Sequence, residues 1–258
     1  MMRHLSQTLA ATALLALAPP VFAEGSSIIE ANIKLLEAGD TVAAAKIPDG
    51  VYLRSVNDPD DIIWERLPEY RVHVAPAPSV HESVDLRIDY DDEGQDVYLT
   101  MARTSERFYV RMRWRDAEPD LTTSSNRFRD AAAVQFSLSD DATSYVMGDG
   151  PEAPVNIWYW RSDRGEVQNL AAGGPGSTTM LDNQPVSGAA QFFDKGSAAA
   201  NEWAVVMSRP IPTTGDYEVS FRRGEVPMAF AIWQGADDQR DGLKSVSDGW
   251  ILLSLEES

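Results

Sequence analysis

The sequence contains no cysteine. This excludes an Fe–S cluster, a covalently attached c-type haem, a thiolate zinc site and a cysteine nucleophile held by this chain, and no disulfide can staple it. Histidine is scarce: beyond His4 there are only His73 and His81. Lysine is nearly as rare, with Lys34, Lys46, Lys195 and Lys244 making the full set. No Gly-rich phosphate loop, no G-x-S-x-G elbow and no H-E-x-x-H occurs. No stretch approaches the ~20 apolar residues of a membrane span. Positive charge is also short, at 22 basic against 40 acidic side chains and a formal net charge of −18. Such a balance argues against nucleic acid, which needs cations to displace counterions, and against an anionic membrane surface. It leaves two readings, solubility in a salty habitat or a docking face for a basic partner.

What is present begins with an export signal. Arg3 and His4 lead a short apolar run, Leu9 to Leu17, and Val21-Phe22-Ala23 is a small-x-Ala cleavage pattern. Residues 1–23 are therefore expected to be a cleaved secretory signal, with a periplasmic domain over 24–258. No arginine pair precedes the run, so the general export route is expected rather than the twin-arginine route. Ser26 to Glu37 reads either as a short helix or as an N-terminal arm.

From there the pattern is β. Tyr70–Val74 and Val84–Tyr90 alternate, Asp91-Asp92-Glu93-Gly94 reads as a hairpin turn, and Val97–Met101 runs back. Arg107–Trp114 is the clearest strand, with Phe108, Val110, Met112 and Trp114 on one face and Arg107, Tyr109, Arg111 and Arg113 on the other. Further strands are expected at 131–138, 155–160, 166–170, 203–208, 217–221, 228–233 and 250–255. The Gly/Ser/Thr/Pro-rich connection 171–187 is long enough to suggest a functional or partner-binding loop. Many short strands with turn signals between them predict an all-β fold, a single β-sandwich domain.

Few side chains stand out for chemistry. Asp89, Asp91, Glu93 and Gly94 resemble half of a calcium loop, but Thr100 stands where a bidentate glutamate is needed, and a solvated turn is the simpler reading. Asp116, Glu118 and Asp120 could pair for glycoside hydrolysis, although a charged surface loop accounts for them as well. Met147 lies at the lip of a Gly/Pro-rich turn before Val155-Asn156-Ile157-Trp158-Tyr159-Trp160. A thioether there suits reduced iron or copper(I), and core packing is its plainer role. Lys244, just ahead of Trp250, reads as a surface charge; an amine ligates iron only as the free base.

Five segments together resemble a known family. They are Asp58-Pro59 with Trp64; Phe108 to Asp116; Phe128-Arg129-Asp130-Ala131-Ala132-Ala133-Val134-Gln135-Phe136; Met147-Gly148 with Pro154 to Trp160; and Lys244-Ser245 before Trp250. The set is similar to the haem b-binding gamma subunits of exported type II molybdenum oxidoreductases, whose members serve dimethylsulfide, ethylbenzene, selenate and chlorate chemistry. The resemblance implies a non-catalytic electron-transfer subunit with one haem b. Its iron would be held axially by Met147 and Lys244. It also implies a heterotrimer with a molybdopterin-containing alpha subunit and an Fe–S beta subunit, passing electrons to a soluble cytochrome c in the periplasm. Within the family the acidic balance favours the dimethylsulfide dehydrogenase branch, with chlorate and selenate reductase gamma subunits as alternatives. Trp158, Trp160 and Trp250 are expected either to wall the haem or to fill ordinary core. Two rivals from other classes share the fold expectation: a non-redox carbohydrate- or ligand-binding β-sandwich, and a stand-alone hydrolase.

Overall fold

The computed structural model describes residues 33–50, 57–124, 127–139, 144–212 and 215–255. The expected signal segment and residues 26–32 of the possible helix lie outside these. Lys34–Leu35, which the helix would have included, form strand β1 instead and pair in parallel with Tyr70 and Arg71. Short strands β2 (Thr41–Ala43) and β3 (Ala45–Lys46) follow. The main strands are β4 (Tyr70–Pro76), β5 (Gln95–Arg103), β6 (Arg107–Arg115), β7 (Ala131–Ser137), β8 (Val155–Arg161) and β9 (Val167–Ala172). After them come β10 (Thr179–Met180), β11 (Ser187–Phe193), β12 (Glu202–Pro210), β13 (Val226–Trp233), β14 (Ser245–Ser247) and β15 (Ile251–Ser254).

All fifteen strands join one sheet in the order β10-β9-β8-β7-β13-β14-β4-β5-β6-β12-β11, with β1, β2, β3 and β15 attached beside this path. The sheet curls on itself, so the β7–β8 region packs against β6 and β12 as two layers of a sandwich. Phe108 on β6 lies 6.1 Å from Trp158 on β8, and Trp114 lies 6.3 Å from Trp160 by ring centroids. Trp203 on β12 is 5.0 Å from Trp160. The alternation read on β6 is realised: Phe108, Val110, Met112 and Trp114 are completely buried between the layers. The opposite face of β6 is covered as well. Arg113 pairs with Glu69 at 3.0 Å and Glu202 at 2.6 Å, and Arg111 donates to the Pro59 carbonyl.

Three expectations are corrected. Val84–Tyr90 is not a strand: His81 caps a short helix, α1 (Glu82–Asp85), by accepting from the Ser83 N–H, and Leu86 and Tyr90 stand 86% and 69% exposed. The apolar alternation there has no partner strand to bury it. Instead β4 pairs with β5, Val74 lying opposite Gln95, and residues 77–94 form a long insertion between the two strands. Tyr217–Phe221 is likewise not a strand, although Val219 and Phe221 are buried among Phe108, Phe136 and Trp158. Asp116 is not on a solvated loop. It is buried beside the fully buried Asp130, and burial pushes its carboxyl up to about 8. No described helix is long and apolar enough to cross a membrane.

Candidate functional site

The parity of β7, β8 and β13 divides their side chains between two environments. Even positions such as Ala132, Val134, Phe136, Trp158, Trp160, Phe230 and Ile232 enter the core between the layers. Odd positions, among them Ala131, Ala133, Ile157, Ala231 and Trp233, form a second apolar cluster with Val155, Leu170 and Ala172 on the outer side of the sheet. The floor of this outer face is thin, because Ala133 pairs directly with Ala231, and Gln135 with Ala229. Alanines leave a flat apolar surface where larger side chains would fill the space. Over it lies a cavity of about 840 Å³, lined by the first part of the 77–94 insertion up to Val84, by Thr123, Phe128 and Arg129, by Tyr145 to Met147, by Pro175, Gly176 and Thr178, and by Gln239 to Gly242 with Lys244.

Met147 and Lys244, 97 positions apart in the sequence, both line this cavity. Met147 is held in the left-handed region at φ 63°, uncommon for a side chain without a local polar group. Its turn is pinned on both sides: its carbonyl accepts from Gly174 N–H at 2.7 Å, and Gly148 N–H donates to the Ser144 carbonyl at 3.0 Å. Gln135 on the floor holds the same turn by donating to the Tyr145 carbonyl at 2.9 Å. The arrangement presents a thioether to the cavity from a fixed backbone, with Met147 packed on the outer apolar cluster.

Lys244 enters from the other chain segment. Its carbonyl accepts from Ala77 N–H at 2.8 Å, tying it to the start of the insertion, and Ser245 begins β14. Its Nζ lies 5.3 Å from the Trp233 ring centroid. No carboxylate pairs with it among the described residues, and burial alone holds its amine down at about 8. A lysine shifted in this way carries a substantial free-base fraction near neutral pH, the form that donates to a metal.

The tryptophans are redistributed. Trp158 and Trp160 point away from the cavity into the core, and Trp250 packs at the edge of the outer cluster rather than lining the space. The aromatic wall is made by Tyr159 and Trp233, whose rings meet edge-on at 5.3 Å. Their signal was available in the alternation of β8, where Tyr159 necessarily faces opposite to its two tryptophan neighbours. His81 lines the cavity, but its Nδ1 is engaged by Ser83; His73 is on the exposed face of β4, beside Asp96 and the Glu93 carbonyl. Asp89 and Asp92 accept from backbone N–H groups two residues on, as loop caps. The 171–187 connection contributes Pro175, Gly176 and Thr178 to the cavity and also carries β10.

The sequence pattern described as Ethylbenzene dehydrogenase matches residues 61–201. Dimethylsulfide dehydrogenase subunit gamma of Rhodovulum sulfidophilum is 54% identical over 248 residues, covering 96% of this chain and 94% of that protein. A Haloferax mediterranei protein provisionally named as a respiratory nitrate reductase heme subunit is 32% identical, over 86% of this chain and 80% of its own length. Chlorate reductase subunit gamma of Ideonella dechloratans is 32% identical, over 76% and 78%. Among solved structures, a Bacteroides uniformis protein provisionally described as carbohydrate-binding aligns with TM-score 0.50 at 10% identity, over 85% of this chain and all of that one. That likeness concerns the fold alone.

Proposed function

This chain belongs to the ethylbenzene dehydrogenase family, and from that premise we propose that it is the electron-transfer gamma subunit of a molybdenum oxidoreductase, of the dimethylsulfide dehydrogenase type. It is not itself the catalytic subunit. The observation that carries the reading is the meeting of Met147 and Lys244 on one apolar cavity in a chain 54% identical to a dimethylsulfide dehydrogenase gamma subunit. One haem b is the proposed cofactor, with Met147 Sδ and Lys244 Nζ as its axial ligands.

The residues present fit such a group. The cavity lies in the upper part of the ~300–1,000 Å³ range of small-molecule sites. Its donors are a soft thioether and an amine without an anionic partner, which suit iron better than a hard cation. When bound, the haem supplies reversible one-electron chemistry at its iron. The chain's own side chains set the conditions. As a ligand, Met147 would favour the ferrous state and raise the potential. Lys244 must give up its proton to ligate, which its dry surroundings promote. Held by both Met147 and Lys244, the iron would have no place left for oxygen or substrate. Ala133, Ala231, Ile157 and Trp233 exclude water from the floor.

The partners belong to the same proposal: a molybdopterin-containing alpha subunit, an Fe–S beta subunit and a soluble cytochrome c. So do export by residues 1–23, a periplasmic location and a haem-binding domain over 24–258. Visible spectroscopy tests the site. The intact complex should show a six-coordinate b-type haem released by acid-acetone, and a complex without a Soret band ends the reading. Met147→Ala and Lys244→Ala should each lower the potential or leave five-coordinate iron. An unchanged spectrum in either variant transfers that ligand role elsewhere, with His81 the first candidate on the cavity.

A further inference from the structure

Two arginines line the cavity in a chain where acids outnumber bases 40 to 22: Arg240, with no carboxylate of its own among the described residues, and Arg129, which shares Asp163 with Arg161. Arg240 lays its guanidinium 4.1 Å over the Phe128 ring and donates through Nη1 to the Asp238 carbonyl at 3.0 Å. No ion pair joins it to a carboxylate among the described residues. Arg129 follows Phe128 directly. Its Nη1 donates to Thr123 Oγ1 at 2.9 Å. Its Nε is buried, makes no hydrogen bond and forms an ion pair at 3.4 Å with Asp163, which Arg161 engages more closely through both oxygens at 2.9 and 2.6 Å.

The two arginine-bearing segments are fixed to each other. Asp130 Oδ1 accepts from Gly235 N–H at 2.9 Å. A Cβ at Gly235 would lie 2.3 Å from the Phe128 carbonyl, so the backbones are in direct contact there. Phe128 and Arg129 on one side and Arg240 on the other thus place two guanidinium groups on a mostly apolar cavity that Lys244 and Asp241 also line. Guanidinium groups in this setting match planar carboxylates through paired N–H donors, and lysine would not.

We propose that Arg129 and Arg240 form an anion clamp that receives the two propionate carboxylates of the porphyrin, Phe128 serving as the positioning residue for Arg240. The inference rests on the haem reading above and adds to it the orientation of the ligand, with its carboxylates on the side of the cavity lined by Arg129 and Arg240.

The test is a porphyrin titration of the haem-free full chain, with iron protoporphyrin IX compared against its dimethyl ester. The wild-type chain should prefer the free diacid by at least about tenfold, the effect of one charge-assisted hydrogen bond. Arg129→Gln with Arg240→Gln should abolish that preference while the six-coordinate spectrum persists, since Met147 and Lys244 are untouched. Arg129→Lys with Arg240→Lys should recover only part of it. The single variant Arg240→Gln, altering a side chain that is partly exposed, should lose part of the preference and covers the case in which the double variant does not fold. Equal binding of diacid and ester by the wild-type chain, or wild-type preference in the glutamine variants, overturns the clamp but leaves the haem reading intact. Absence of a six-coordinate spectrum with either porphyrin overturns both.

Discussion

The amine of Lys244 faces the Trp233 ring with no carboxylate beside it, and burial alone holds it down at about 8. In the unfolded chain it titrates near 10.5. Between those values the unfolded state holds a proton that the folded state has lost, so this residue makes stability rise with pH. Below about 8 the penalty for burying the cation is present in full, on the order of 3 kcal/mol. Lys244→Met should therefore stabilise the haem-free protein most below pH 8, and the gain should shrink as pH approaches 10.5. Thermal melts of both proteins across that range check the sign. A gain that grows with pH would contradict it. Haem affinity should follow the same proton, rising with pH up to about 8 and then levelling.

Two elements carry further expectations. Asp130, at the start of β7, accepts from Trp203 Nε1, Gly235 N–H and Asp120 N–H, donors that favour its ionised form; Asp116, at the end of β6, keeps one buried oxygen unpaired. Burial pushes both carboxyls up, Asp116 to about 8 and Asp130 to about 6, and the mutual repulsion of the pair adds to the rise at Asp116. Here the folded state retains a proton that the unfolded chain releases near 4, so stability falls as pH rises from about 4 to 8. Asp116→Asn keeps the oxygen that accepts from Glu118 N–H and supplies a neutral donor toward Asp130. It should raise Tm by about 2–4 °C at pH 8, the equivalent of about 1 kcal/mol in a domain of this size, and far less at pH 5. The Met147 turn depends on Gly148, at φ 90°, where a Cβ would meet the Ala153 carbonyl at 2.9 Å and the Ala172 carbonyl at 3.1 Å. Gly148→Ala should cost about 2 kcal/mol or more in denaturant unfolding and shift the haem spectrum by displacing the adjacent thioether. Legibility at this scale followed pairing. On β6 alternation identified the buried face correctly, because a partner strand lies on each side. The same alternation at 84–90 misled, because nothing pairs with that segment and a capped turn of helix satisfies its backbone instead.

For the whole molecule, the curl of one sheet decides where chemistry can occur. The inner face is filled by Trp114, Trp158, Trp160, Phe108 and Phe136. The outer face of the same strands carries alanines, and the loops close over it. A net charge of −18 acts on the entire fold through self-repulsion. Raising salt from about 0.01 to about 1 M shortens the screening length from about 30 to about 3 Å. The protein should gain stability over that range, read as an increase in Tm in sodium chloride. A chain indifferent to salt would mean that its acids are already locally compensated.

The sequence by itself determined the β class, the buried face of the paired strands and the exclusion of thiol chemistry, since composition and period-two alternation are local properties of the chain. It also marked Met147 through the turn around it. The family resemblance, not spacing, paired Lys244 with Met147; the tertiary structure brings both to one cavity, and it alone decided that Tyr159 and Trp233 rather than Trp158 and Trp160 face it and that Arg129 and Arg240 line it too. Alternation says that two faces exist; the pairing of distant strands and the curl they impose choose which face becomes core and which is left open to a ligand.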